Sequence, residues 1–254
     1  MKKLVGNDIQ KAKYIFDDFT FYQPVIFSIF ENQYDGSVYV DNYEKINWAL
    51  LQTPFLQHII AGKPTDECES IIENILFSNI LNEQNEKEIV VFYNNNDWDY
   101  ILQNIFLKRK GVSDSRKIFG FSLEKFMQLN EIPIPDDIQI VIEKCKVLPF
   151  SKIDTWSVKI LVENEIVSHC DSIMVGKNMA EIDISTVELF RGKGYASLAG
   201  IKLIKKLLEN KITPCWSTWP FRIESQHIAL KLGFIPQPDV KAWIWLKSMQ
   251  KNKT

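Results

Sequence analysis

Arg191-Gly192-Lys193-Gly194-Tyr195-Ala196 lies between two runs of different periodicity. Residues 180–186 are apolar and strand-like, and residues 197–208 carry helical spacing. A turn with two glycines between a strand and a helix can aim several backbone N–H groups at one point. The helix adds its own unpaired N–H groups, and together they make an anion site. Glycine suits such a turn because the backbone approaches the ligand closely and can take positive φ. The fragment therefore points to a bound phosphate or pyrophosphate.

Bulk properties narrow the class. A chain of 254 residues allows one large domain or two small ones. Acidic residues number 32 and basic residues 30, a formal charge of -2. That balance argues against a nucleic-acid partner, which usually meets a basic face. The four cysteines (Cys68, Cys145, Cys170, Cys215) make no Cys-x-x-Cys pair. The histidines (His58, His169, His227) are not in ligand spacing with them, so no metal is expected. Free thiols in a reducing cytoplasm fit this usage. The basic start is followed by no long apolar run, so no signal peptide is expected. No uncharged apolar run approaches the ~18 residues of a membrane span.

Working outward from the glycine turn, residues 138–142 are a short strand candidate. Residues 156–162 and 166–175 form a predicted hairpin around Glu163-Asn164-Glu165, and 180–186 follow as the next strand. Beyond the turn and its helix, 213–219 read as a strand and 224–232 as a helix stopped by Gly233. Residues 243–246 close the series. Upstream, Asn130-Glu131-Ile132-Pro133-Ile134-Pro135-Asp136-Asp137 is polar, carries two prolines and is the best linker candidate. Before it, residues 5–18 suit a short amphipathic helix. Residues 25–30, 37–41, 47–51 and 55–61 are strand-like. Thr65 is the expected N-cap of a helix to Asn82. Residues 88–93 read as a buried strand, 97–107 as a helix and 115–121 as a strand. Both halves thus run in similar order. The first has only Ala61-Gly62-Lys63-Pro64-Thr65 where the second has its glycine turn, and Pro64 removes a donor.

Three phosphate motifs compete for residues 191–196. A Walker loop needs Gly-x-x-x-x-Gly-Lys-Ser/Thr, and Gly192-Lys193-Gly194 fits no such frame. A dinucleotide fingerprint needs a third glycine where Ser197 stands. Arg/Gln-x-x-Gly-x-Gly/Ala is satisfied by Arg191, Gly194 and Ala196. That pattern resembles the pyrophosphate loop of the GNAT superfamily of acyl-CoA-dependent N-acetyltransferases. Downstream, Ser225-Gln226-His227-Ile228-Ala229-Leu230-Lys231-Leu232-Gly233-Phe234 resembles the second GNAT signature. Over about residues 155–245 the chain also resembles the zwittermicin A resistance protein family, whose members carry an extra N-terminal GNAT-like half. Arg222 departs from that family's usual Asn.

The resemblance implies an α+β GNAT fold, a mixed and mostly antiparallel twisted sheet flanked by helices. Residues 1–130 would be a degenerate GNAT-like half without a pyrophosphate loop, and 131–254 the acetyltransferase domain. It implies acetyl-CoA as co-substrate and a small-molecule amine as acceptor, with direct attack in a ternary complex. Backbone N–H groups of Arg191, Gly192, Lys193, Gly194, Tyr195 and Ala196 would bind the CoA pyrophosphate. Thr186 and Glu188 would hold the pantetheine arm, and the Thr186 N–H would face the thioester oxyanion. Ala229 stands where many relatives have a tyrosine acid, which leaves Ser225 as the hydroxyl beside the sulfur. Glu181 and Asp183 share a strand face and are the expected alternatives for the base. Glu188 and His169 are further candidates. Trp156, Trp216, Trp219 and Phe221 are either acceptor-groove walls or core. The segment from 142 to 156 is short for the helices that usually cover an acceptor, so the first half is expected to supply a wall, with the acceptor bound between the halves. Ala229 and Arg222 keep open a non-catalytic acyl-CoA-binding reading.

Overall fold

A computed structural model of the chain describes residues 1–83, 87–130 and 132–250. Glu131, inside the expected linker, lies outside the described residues. In chain order the elements begin with β1 (Lys2–Leu4), α1 (Gln23–Phe30), β2 (Ser37–Val40), β3 (Trp48–Gln52) and β4 (Gln57–Gly62). Next come α2 (Cys68–Asn74), α3 (Leu81–Glu83), β5 (Glu88–Tyr93), α4 (Asp97–Lys108), β6 (Val112–Phe121) and α5 (Leu123–Met127). The series ends with β7 (Ile138–Cys145), β8 (Thr155–Val162), β9 (Glu165–Gly176), β10 (Met179–Thr186), α6 (Tyr195–Glu209), β11 (Thr213–Thr218), α7 (Ile223–Lys231) and β12 (Phe234–Leu246). An 11-residue 3-10 helix occupies Gly6–Phe16 and a 3-10 turn Glu188–Phe190, and a π-helical stretch, Ile75–Ile80, joins α2 to α3.

Contacts divide the chain into two compact units built from interleaved segments. Unit 1 comprises Met1–Tyr22, Asp35–Arg116 and Val240–Thr254; unit 2 comprises Gln23–Tyr34 and Lys117–Asp239.

In unit 1, β1, β2, β3 and β4 pair antiparallel in sequence order. β4 then pairs parallel with β5, and β5 pairs antiparallel with residues 242–246 of β12. The α2–α3 segment and α4 lay apolar side chains on this sheet, among them Ile72, Leu76, Leu102 and Phe106, against Trp48, Trp243 and Trp245. Thr65 does not cap α2. Glu67 holds the cap position without a side-chain bond, and the Thr65 hydroxyl accepts from the Trp48 indole instead.

In unit 2, β7, β8, β9 and β10 form an antiparallel meander. The β8–β9 turn uses Glu163 and Asn164, both at positive φ, as a two-residue hairpin demands. β10 pairs parallel with β11, and β11 pairs antiparallel with residues 117–119 of β6. The core lies under α6, whose Leu198, Ala199, Leu203, Ile204 and Leu207 recur at helical spacing and meet Val158, Ile160, Ala180 and Ile182. Each buried Leu, Ile or Val among them contributes about 1.5–3 kcal/mol by leaving water.

Residues 25–30, expected as a strand, form helix α1. Pro24 through Phe30 are all buried, so the run shows neither period, and a short apolar run does not distinguish strand from buried helix. Its docking against β9 is close. A Cβ on Gly176 would stand 2.3 Å from the Ser28 backbone nitrogen. The N-terminal part of the sequence therefore donates one helix to unit 2.

Candidate active site

β10 and β11 keep their parallel register only from Met179↔Thr213 to Glu181↔Cys215. β11 continues to Thr218 alongside β6, while β10 continues to Thr186 alongside β9. The two strands thus part company after Glu181. The Val187 N–H donates to Val167 O (2.9 Å) on the β9 side. Backbone polar groups alternate direction along a strand, so the N–H groups of Ile184 and Thr186 point away from β9, toward the β11 side. Ser168 pins this end of β10. Its hydroxyl donates to Ser185 O (3.0 Å) and stands 2.8 Å from Thr186 Oγ1.

The chain then turns through Glu188–Phe190 into the glycine loop. Gly192 (φ +78) and Gly194 (φ +83) are both left-handed, and Gly194 occupies the N-cap of α6. A Cβ at either glycine would meet nothing within 4 Å, so these positions need glycine for conformation and face open space. The first helical bond of α6 runs from Leu198 N to Gly194 O (3.0 Å). Among the described residues, the N–H groups of Gly192 through Ser197 have no acceptor. Donors of a helix N-terminus and of a left-handed turn converge there on space that an anion can fill. Arg191, Lys193 and Glu188 are exposed around the rim. The Arg191 side chain reaches back to Thr186 O (3.3 Å), and Lys193 lies over the Phe190 ring. Tyr195 is buried against Phe190.

Across the splay, α7 presents Ser225. The buried Trp216 indole donates to Ser225 Oγ (3.2 Å), which fixes the oxygen and leaves the hydroxyl proton to donate elsewhere. Glu181 and Asp183 share one face of β10, as alternation requires, but in different settings. Glu181 is buried and accepts from Ser217 Oγ (3.2 Å), whereas Asp183 is exposed. Burial, with Glu181 adding to it, pushes the neighbouring Cys215 thiol well up, so it stays protonated. Trp156 takes the other face. Lys144 and Lys206 lie over its ring, and it packs beside the α6 core. Trp216 belongs to that core as well, while Phe221 is exposed. Sequence reasoning overlooked the Ser168–Thr186 clamp and the Trp216–Ser225 bond. It also overlooked Asp171, which the alternation His169-Cys170-Asp171 on one strand could have revealed.

A meander whose last strand splays from a parallel neighbour, then enters a glycine turn and a helix, defines the GNAT fold. Residues 156–242 match the family described as GNAT acetyltransferase. The chain is 26% identical over 252 residues to a Bacillus subtilis (strain 168) protein named uncharacterized N-acetyltransferase YdfB, covering 92% of this chain and 94% of that relative. Its fold resembles a GCN5-related N-acetyltransferase-like protein of Streptococcus suis 89/1591, with a TM-score of 0.67 at 19% identity over 94% of this chain and 98% of that one. It also resembles a tandem GNAT protein from the clavulanic acid biosynthesis pathway, with a TM-score of 0.66 at 5% identity over 97% and 98% of the two chains. Residues 156–242 are thus similar in sequence to GNAT acetyltransferases, and the chain has the GNAT fold. Among the described residues, no helix is long and apolar enough to cross a membrane.

Proposed function

We infer that this protein transfers an acetyl group from acetyl-CoA to the amine of a small molecule by direct attack in a ternary complex. The observation that carries the reading is the run of unpaired N–H groups from Gly192 to Ser197, facing open space at the N-terminus of α6. A pyrophosphate supplies the acceptors those donors lack. From that anchor the pantetheine arm would run back along β10, beside Glu188 and Thr186, and pair with the strand edge that β11 leaves. The N–H groups of Ile184 and Thr186 are then oriented to stabilise negative charge on the thioester oxygen. Ser225, held by Trp216, donates its proton to the departing thiolate. Glu181 and Asp183 lie beside the reacting end, and Asp183 is the one open to an incoming amine. Holding the two reactants in register supplies most of the acceleration, because little covalent work falls to the protein.

Calorimetry of CoA and a thiol-release assay across an amine panel test this together. CoA should bind, and thiol should appear with acceptor. Ser225→Ala should lower kcat by about 100-fold while CoA affinity changes little. Binding of NAD in place of CoA would sink the reading.

A further inference from the structure

β9 carries a polar pair that the steps above leave unused. His169 and Asp171 lie two residues apart on one strand and project from the same face. His169 Nδ1 and Asp171 Oδ2 are 2.8 Å apart. The Asp171 side chain is 11% exposed and the imidazole 35%. Asp171 Oδ1 is buried with no hydrogen-bond partner, and His169 Nε2 has none among the described residues. A buried carboxylate placed only for stability would have both oxygens satisfied. This one spends its single bond on orienting an imidazole whose other nitrogen is left open.

The strand registers show what surrounds the pair. Asp171 stands opposite Asp183 on β10 and Ser157 on β8. His169 stands opposite Ser185 on β10 and Lys159 on β8. Lys159 in turn pairs with Glu143 of β7. Helix α1, which packs on β9, brings no charged side chain. The charges around His169 are therefore Asp171, Asp183 and Lys159, with Glu143 beyond. Two carboxylates directly opposite on neighbouring strands are unfavourable unless a cation joins them. Neighbouring strands are about 4.8 Å apart, so the ring stands beside the end of β10 whose Ile184 and Thr186 N–H groups turn toward the splay.

We propose that His169 is the base that takes a proton from the acceptor amine, that Asp171 is its positioning residue, and that Asp183 draws the amine in as an ammonium ion. This rests on the acetyl-transfer reading above. The ammonium gives one proton to His169 Nε2, which passes it to solvent. The freed nitrogen lone pair forms the C–N bond to the thioester carbon, and the C–S bond breaks. The thiolate takes the Ser225 proton. The second proton leaving the nitrogen restores that hydroxyl, so the products are an amide, a thiol and one released proton. The hydrogen bond to Asp171 raises the imidazole above its ordinary value most strongly. Burial opposes it, the charges of Asp171 and Asp183 add to it, and Lys159 subtracts. His169 must be neutral to act, so turnover rises with pH through that raised value.

The test uses the full chain, acetyl-CoA and two kinds of probe. Putrescine and tyramine arrive as ammonium ions, whereas hydroxylamine is already unprotonated at neutral pH. His169→Gln should cut thiol release with the alkylamines about 100-fold and abolish the pH-dependent limb. Hydroxylamine turnover and CoA affinity should stay within about threefold of wild type, which also shows the variant is folded. Asp171→Asn should move the limb to lower pH. Alkylamine turnover that survives His169→Gln with its pH limb intact overturns the base assignment alone. CoA binding with no thiol release from any probe overturns acetyl transfer, and this role with it.

Discussion

The two units contain the same kind of junction, a parallel strand leading through a glycine into a helix, in opposite conditions. In unit 1, β4 stays paired with β5 through Ile60↔Tyr93, close to the strand's end. The turn that follows is filled by protein. Gly62 O accepts from the Trp98 indole and from Asn95, and Lys63 N donates to Asn47 O. A Cβ on Gly62 would lie 2.2 Å from Asn47 O. In unit 2, β10 leaves β11 after Glu181, and the glycines of the turn look into open space. One junction has closed on itself, and the other keeps its donors for something else. The same glycine chemistry serves packing in the first case and leaves donors unpaired beside open space in the second.

The largest expected effect comes from forcing a side chain into the closed junction. Gly62→Ala combines left-handed strain with a backbone overlap and should cost about 3 kcal/mol or more of stability in urea denaturation. The CoA affinity of the folded fraction should not change. In the open junction, Gly194→Val should leave the fold close to intact and weaken CoA by about 30-fold in calorimetry, through strain and bulk at the proposed pyrophosphate loop. Equal losses of stability from the two substitutions would erase the contrast.

A second pair of residues sharpens it. Asp99 in unit 1 has both oxygens engaged, by Tyr93, Trp243 and Lys241. Burial pushes its carboxyl up, but those three bonds outweigh it and hold the pKa below the ordinary value. Its stabilisation is present above the unfolded value and is lost as pH falls through the folded one. Asp99→Asn should cost about 1 kcal/mol at neutral pH once screening of its partly exposed side chain is allowed for, and flatten the acid limb of the denaturation curve. His169 has the opposite sign. Its raised pKa stabilises below the unfolded value near 6.5 and ceases to do so as pH climbs through the folded one, a small loss because the ring is a third exposed. Smallest of all, Arg191→Ala should change CoA affinity by no more than about threefold, because main-chain donors make the loop and the side chain lies on its rim.

The glycine loop, α6 and the helix ending at Gly233 were legible in the sequence because their signals are local: paired glycines, helical spacing, a stop residue. Helix α1 was not, because burial on every side removes periodicity. Ser225 could be singled out by its place in the signature, but not its bond to Trp216, which depends on β11 and α7 meeting. The parting of β10 from β11 is a matter of register between strands and leaves no mark in either one. Asp171 was missed for a different reason. Strand alternation does put it on the face of His169, but the apolar cysteine between them made the run read as an ordinary buried strand, and the bond itself depends on side-chain rotamers that the chain does not announce.

The interleaving of segments also sets an order of assembly. Residues 23–34 are made early but have their place with unit 2, whose last segment ends at Asp239. Trp243 and Trp245, which fill the core of unit 1, are translated after every residue of unit 2. On the ribosome, unit 2 can therefore be complete while unit 1 still lacks the last strand of its sheet. Until residues 242–246 are made, the edge of β5 that they pair with has no partner strand there.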